Sequence, residues 1–298
     1  MMTSSSWQTW LFACSALITV GVNFLVQPDL ALQLLMLAPA VAILGLPHGA
    51  LDLPIAQSLW PLRGWRQQVR FVVLYVGLAV VLICIWIAFP GSTLCAFLIY
   101  SAFHFSGDWD AAGSALRWTG GVATVGAPAL FRCEEVATIF SYLAPKPAAD
   151  LAALLLALSA AAALIFFLGL IAFQPQRRTR AALEQGVIWI AAACLAPLVY
   201  FVVYFCTLHS VRHFTDALVS LDRKRHALVV AGCLSAVIVV VSVGGFAIMQ
   251  KFGADVVAQS VLQIVFIGLA ALTVPHMILV DRFQHQATRQ KAKNSSVN

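Results

Sequence analysis

Apolar residues run along this chain in blocks of roughly 20, parted by short polar links, and within each block they are continuous rather than alternating. A helix rising 1.5 Å per residue needs about 20 residues to cross the roughly 30 Å hydrocarbon core of a bilayer. A membrane-barrel strand would instead alternate with period two, so these blocks predict spanning helices. They fall at about 7–26, 30–47, 69–89, 93–105, 118–130, 150–173, 186–208, 227–249 and 257–281, which gives an all-α, polytopic transmembrane bundle of about eight or nine helices. The two between Thr93 and Leu130 are too short to span alone, and Pro128 and Pro197 interrupt others, so short or broken helices around a cavity are expected. All links are short, so residues 1–298 read as a single integral membrane domain. Residues 282–298 are polar and basic with no apolar face and are expected to form a disordered cytoplasmic tail.

Composition agrees with this pattern: 61% of the 298 residues are hydrophobic, 10% are charged, and the mean hydropathy is +0.91. Soluble domains carry about 25% charged residues, so a water-soluble globule is excluded. The formal charge of +6 would suit nucleic acid, but the Lys and Arg residues sit in links between apolar blocks, where positive charge marks cytoplasmic loops. The run from Arg180 to Arg223 is then short for two crossings. It implies either a re-entrant pair broken at Pro197 or one basic cluster facing outward. Seven cysteines without a CxxC pair read as small buried hydrophobes. Met1 to Ser6 carry no basic residue, so the first apolar run reads as a retained helix rather than a signal peptide.

Five of the seven histidines, His48, His104, His209, His213 and His276, lie in or at the ends of apolar blocks. An ionisable group there is costly and points to function, although a single membrane histidine is more often an interhelical hydrogen bond. His226 and His285 sit in basic links and read as solvated. The strongest local signal is His209-Ser-Val-Arg-His213, because residues at i and i+4 share a helix face and two imidazoles so placed can share one metal. This motif is expected to close the helix Leu198 to Leu208. His48 stands in Gly45-Leu-Pro-His-Gly-Ala-Leu-Asp52 and His104 in Phe103-His-Phe-Ser-Gly-Asp108.

Each motif sets an aspartate three or four residues after a histidine: Asp52, Asp108 and Asp216. A metal-bound imidazole usually donates its second N–H to a carboxylate, so each aspartate is a candidate to orient its own histidine. Gly49 and Gly107 can end a helix and turn the first two elsewhere. No glycine separates His213 from Asp216, so Asp216 is the one the sequence places most securely. No membrane-embedded carboxylate is expected outside these motifs. Imidazole suits iron, copper, zinc or nickel, so the ligand type does not name the metal. The absence of GxSxG, HExxH, P-loop and GxGxxG patterns speaks against serine hydrolase, zincin, nucleotide and dinucleotide chemistry.

GLPHGALD, FHFSGD and HSVRH, in this order and at these intervals, resemble the Brp/Blh membrane proteins, the bacterial β-carotene 15,15′-dioxygenases. The resemblance implies a non-haem Fe(2+) centre held by His48, His104, His209 and His213. It also implies cleavage of the central double bond of β-carotene or a related carotenoid by O₂ to give two retinals, and residence as a multi-pass protein of the bacterial inner membrane. His276 is not among the ligands so implied. A carotenoid dissolves in the bilayer core, so a metal at the end of an apolar tunnel suits it, and Phe103, Phe105, Trp109, Tyr204, Phe205 and Phe214 are candidates to line one. The main alternative is a transporter or proton relay, which also uses intramembrane histidines but for which inverted repeats are expected. A di-iron desaturase needs roughly eight ligands, more than the five candidates here. A purely structural membrane protein remains the plainest alternative.

Overall fold

The structure is a computed structural model that describes residues 6–60, 62, 64–251 and 257–295, without the side chains of His48 and residues 283–295. Every regular element among the described residues is a helix. The chain opens with α1 (Ser6–Val26) and α2 (Leu30–Ala40), whose first turn is capped by the Asp29 carboxylate accepting from the Leu32 amide at 2.9 Å. A π turn, Val41–Gly45, carries α2 into the short α3 (Leu46–Gly49), and after a turn α4 (Asp52–Leu59) follows. Next come α5 (Trp65–Ala88), α6 (Pro90–Ser106), a 3₁₀ segment at Gly107–Ala112, α7 (Ser114–Phe131), α8 (Cys133–Ser141) and α9 (Lys146–Phe173). After α10 (Arg180–Cys194) the chain breaks and resumes as α11 (Pro197–Tyr204), which passes through a second π turn, Phe205–His209, into α12 (Ser210–Ser220). The bundle ends with α13 (Lys224–Lys251), α14 (Val257–Leu262), a third π turn at Gln263–Ile267, and α15 (Gly268–Ser295).

Among the described residues, five helical segments are long and apolar enough to cross a membrane: Ser6–Val26, Trp65–Ala88, Lys146–Phe173, Lys224–Lys251 and Val257–Arg282. Their outward faces are apolar, with Leu17, Ile87 and Val240 each at least 70% exposed. Apolar surface on this scale is stable only against lipid. The polar residues turn inward, the reverse of a soluble domain.

At the centre lies α7, packed on α6, α9 and α10. Its buried stripe is made of small residues, Gly120, Gly121, Ala123, Thr124, Gly126 and Ala127. A Cβ placed on Gly121 would stand 2.3 Å from the Ala102 carbonyl oxygen of α6, so only glycine admits this approach.

Several expectations need correction. The two segments read as 93–105 and 118–130 extend to helices of 17 and 18 residues, though neither is among the five of spanning length and hydropathy. Pro128 does not interrupt α7: it sits near the last turn, and the Thr124 carbonyl oxygen that a residue-128 N–H would have bonded takes the Tyr200 hydroxyl at 3.0 Å instead. Pro197 does mark a break, between Cys194 and Pro197. His209-Ser-Val-Arg-His213 does not close a helix, since α12 continues to Ser220. Beyond Asp281, where a disordered tail is expected, α15 runs on to Ser295 through a stretch rich in good helix formers. The cysteines are all free, and Cys14, Cys84 and Cys233 are exposed on the apolar surface rather than buried.

Candidate metal centre

Three elements bring the central histidines together. His104 comes from the last turn of α6, His209 from the second π turn and His213 from α12. π turns are rare and concentrate where a helix must re-aim its side chains. His104 and His209 are buried and His213 nearly so. The rings of His209 and His213 stand 4.3 Å apart, centre to centre, as the i, i+4 spacing predicts. His104 lies 4.8 Å from His209 and 5.6 Å from His213. Phe105 packs edge-on against His209 and Phe205 stacks on it, fixing the ring in an apolar box. A Cβ on Gly45 would press to 2.6 Å from Phe205, so this glycine lets the second π turn close on the first.

One carboxylate serves this cluster. Asp108 Oδ2 accepts a hydrogen bond from the Tyr204 hydroxyl and lies 3.2 Å from His209 Nδ1, while Oδ1 lies 3.5 Å from His213 Nε2. Asp108 is the aspartate of the His104 motif, yet it orients His209 and faces His213. The reason is local: the chain tightens from α6 into the 3₁₀ segment that starts at Gly107, so Asp108 leaves the α-helical register in which it would stand over His104. The same correction applies to Asp52. The chain turns at Ala50 and Leu51, and both Asp52 oxygens are engaged elsewhere, Oδ1 with His276 Nδ1 and Oδ2 with the Tyr75 hydroxyl, each at 2.7 Å. Asp216 makes no hydrogen bond to His213 among the described residues, and its Oδ2 has no hydrogen-bond partner there. The side chain of His48 lies outside the described residues, so its expected place in the cluster is not seen; its backbone sits in α3, which packs against α12.

Behind the cluster runs a buried polar brace that sequence spacing did not reveal. Arg212, between the two motif histidines, is fully buried and donates to the Asp108 carbonyl oxygen and to Glu184 Oε1, both at 2.8 Å. Glu184 also accepts from the Thr9 hydroxyl and from the Trp109 indole N–H at 3.1 Å. It is a buried carboxylate outside the histidine motifs, contrary to expectation. The signal was present: Glu184 is an acid in the apolar helix α10, and Arg212 is a buried cation that needs a partner.

In front lies a cavity of about 330 Å³, walled chiefly by Phe, Leu and Val side chains from nine helices, with His104 and His276 at its polar end. Ligand pockets run from about 300 to 1,000 Å³. Of the aromatic candidates, Phe105 and Phe205 line it, Trp109 and Tyr204 pack behind it, Phe103 is half exposed, and Phe214 joins a separate apolar cluster.

The donor set fits a metal. His104 Nε2 and His209 Nε2 lie 3.1 Å apart in a buried pocket. Metal–nitrogen bonds are about 2.1 Å, so two imidazoles bound at a right angle to one ion would have nitrogens about 3 Å apart. Asp108, His209 and His213 also present ligand atoms all within 4.8 Å of one another.

Fold and site together define a helical-bundle membrane protein with a buried histidine–carboxylate cluster facing an apolar cavity. Residues 39–284 match the family described as beta-carotene 15,15′-dioxygenase. The chain belongs to that family of carotenoid-cleaving dioxygenases, as the three sequence motifs imply. It is 35% identical over 268 residues to the beta-carotene 15,15′-dioxygenase of the uncultured marine bacterium 66A03, covering 85% of this chain and 95% of that protein. No solved structure matches it.

Proposed function

We propose that this protein is an iron-dependent dioxygenase of the bacterial inner membrane that cleaves the central 15,15′ double bond of β-carotene, or a close relative, with O₂ to give two retinals. One observation carries the reading: in a chain of this family, His104, His209 and His213 converge around Asp108 at the inner end of an apolar cavity.

His104, His209 and His213, joined by His48 from α3, would hold one Fe(2+). When bound, the iron supplies the oxygen activation that no amino-acid side chain provides. The chain's own residues set the conditions. Asp108 accepts the Nδ1–H of His209 and thereby turns its Nε2 towards His104. Tyr204 and Arg212 hold the carboxylate and the backbone of Asp108 in place. Phe105 and Phe205 close the cavity against water beside the histidines, and a hydrocarbon substrate already dissolved in the bilayer gives up no hydration on entering. Nothing in this scheme requires a residue to donate a proton to a polyene. That accords with Glu184, the buried acid outside the motifs, being held by Arg212, Thr9 and Trp109 away from the cavity lining.

The test is expression in a β-carotene-producing host, with bleaching and retinal followed by chromatography for the wild type and for His209→Ala. Retinal from the wild type and none from the variant is expected. Persistent colour with the wild type, or unchanged retinal from His209→Ala, would refute the proposal.

A further inference from the structure

His276 lies on α15, one residue after Pro275, and belongs to none of the three motifs. It is buried, with Nδ1 2.7 Å from Asp52 Oδ1 at the start of α4. The other oxygen of that carboxylate accepts the Tyr75 hydroxyl from α5 at 2.7 Å. A carboxylate can only accept, so the proton sits on Nδ1, and Nε2 is the ring atom with the lone pair. The pair thus repeats the arrangement by which Asp108 orients His209.

Two further observations place this imidazole at the centre. The His276 ring stands 6.0 Å from that of His104 and nearly perpendicular to it. Given a metal–nitrogen bond of about 2.1 Å, each ring centre lies roughly 3.2 Å from a shared ion, so ring pairs range from the 4.3 Å of His209 and His213 up to roughly 6.4 Å in a line. The His104–His276 pair falls inside that range. Moreover, His104 and His276 line the cavity together with Asp52 and Tyr75, whereas His209 and His213 stand behind.

We propose that His276 is a further imidazole ligand of the metal, presented from the cavity side by Asp52 and Tyr75. The inference rests on the metal-centre reading above. It gives the centre a ligand on the wall that substrate meets, and it ties α4, α5 and α15 to the metal.

A purely structural role, pinning α15 to α4, would need the Nδ1–H bond to Asp52 but not the Nε2 lone pair. His276→Asn separates the two, because the amide can still donate to Asp52 but offers nothing in place of Nε2. Full-length wild type, His276→Asn, Tyr75→Phe and His209→Ala would be purified in detergent and loaded anaerobically with Fe(2+) or Co(2+). Metal retained against a chelator and the visible absorption of the Co(2+) form are then measured. His276→Asn should weaken retention by at least roughly tenfold and shift the Co(2+) bands, and Tyr75→Phe should move both in the same direction by less. Unchanged retention and spectrum in His276→Asn would overturn the inference, as they would in Tyr75→Phe if His276→Asn fails to fold. A wild type that holds no metal, or a His209→Ala that holds it equally well, would instead overturn the metal-centre reading itself.

Discussion

Asn at position 108 removes one charge and one acceptor without changing volume. Asp108 now takes the Tyr204 hydroxyl and His209 Nδ1 on Oδ2, and its Oδ1 faces His213 Nε2 at 3.5 Å. An amide has one oxygen. Placed where Oδ2 is, it keeps both donors and turns an NH₂ on His213; flipped, it opposes two donors with an NH₂. In both positions one histidine loses the partner that fixes its tautomer and plane. Loss of such a partner weakens metal affinity or activity by about 10 to 100-fold, which is about 1.4 to 2.7 kcal/mol at 1.36 kcal/mol per decade. The control is Asp216→Asn. Asp216 is the aspartate that sequence spacing ranks first, yet it makes no hydrogen bond to His213 among the described residues, and its replacement should leave both quantities within about twofold. Iron per purified chain after a chelator wash, and retinal formed in β-carotene-producing cells, are measured for both variants. Normal iron and turnover in Asp108→Asn, or losses confined to Asp216→Asn, would refute the assignment of Asp108 as the orienting carboxylate.

Arg212→Met should leave Glu184 as a buried, undercompensated charge and release the Asp108 backbone, at a cost of about 3 to 5 kcal/mol; thermal unfolding in detergent checks it, and an unchanged Tm would deny the brace its role. Gly121→Ala forces a methyl against the Ala102 carbonyl oxygen and should destabilise by about 1 to 3 kcal/mol, with α6 and hence His104 displaced, read as lower Tm and lower iron content. Tyr200→Phe removes the donor to the Thr124 carbonyl oxygen beside Pro128 and should cost about 1 kcal/mol in stability while sparing iron binding. Purified wild type should carry about one iron per chain, since the described histidines converge on one centre; elemental analysis giving two would favour a di-iron site.

What the sequence by itself determined is what depends on neighbours along one helix. Continuous apolar runs of spanning length select membrane helices, because in lipid the backbone must bond to itself. The i, i+4 spacing stacks His209 on His213, and Pro197 breaks the chain because it lacks an N–H. The three motifs also marked the family. What only the tertiary structure decided is which group meets which across the bundle. Asp108 could be read beside His104 but not across to His209, because the chain changes from α-helix to 3₁₀ at Gly107 and takes the carboxylate out of register with His104. Asp52 and His276 are 224 residues apart, and no local periodicity relates α4 to α15. Glu184, Thr9 and Arg212 come from three helices and look like unrelated polar exceptions in an apolar chain until packing joins them. The low-dielectric interior is what makes these pairings obligatory, since each buried polar group must find a partner. The faces on which the helices happen to pack decide which partner it finds.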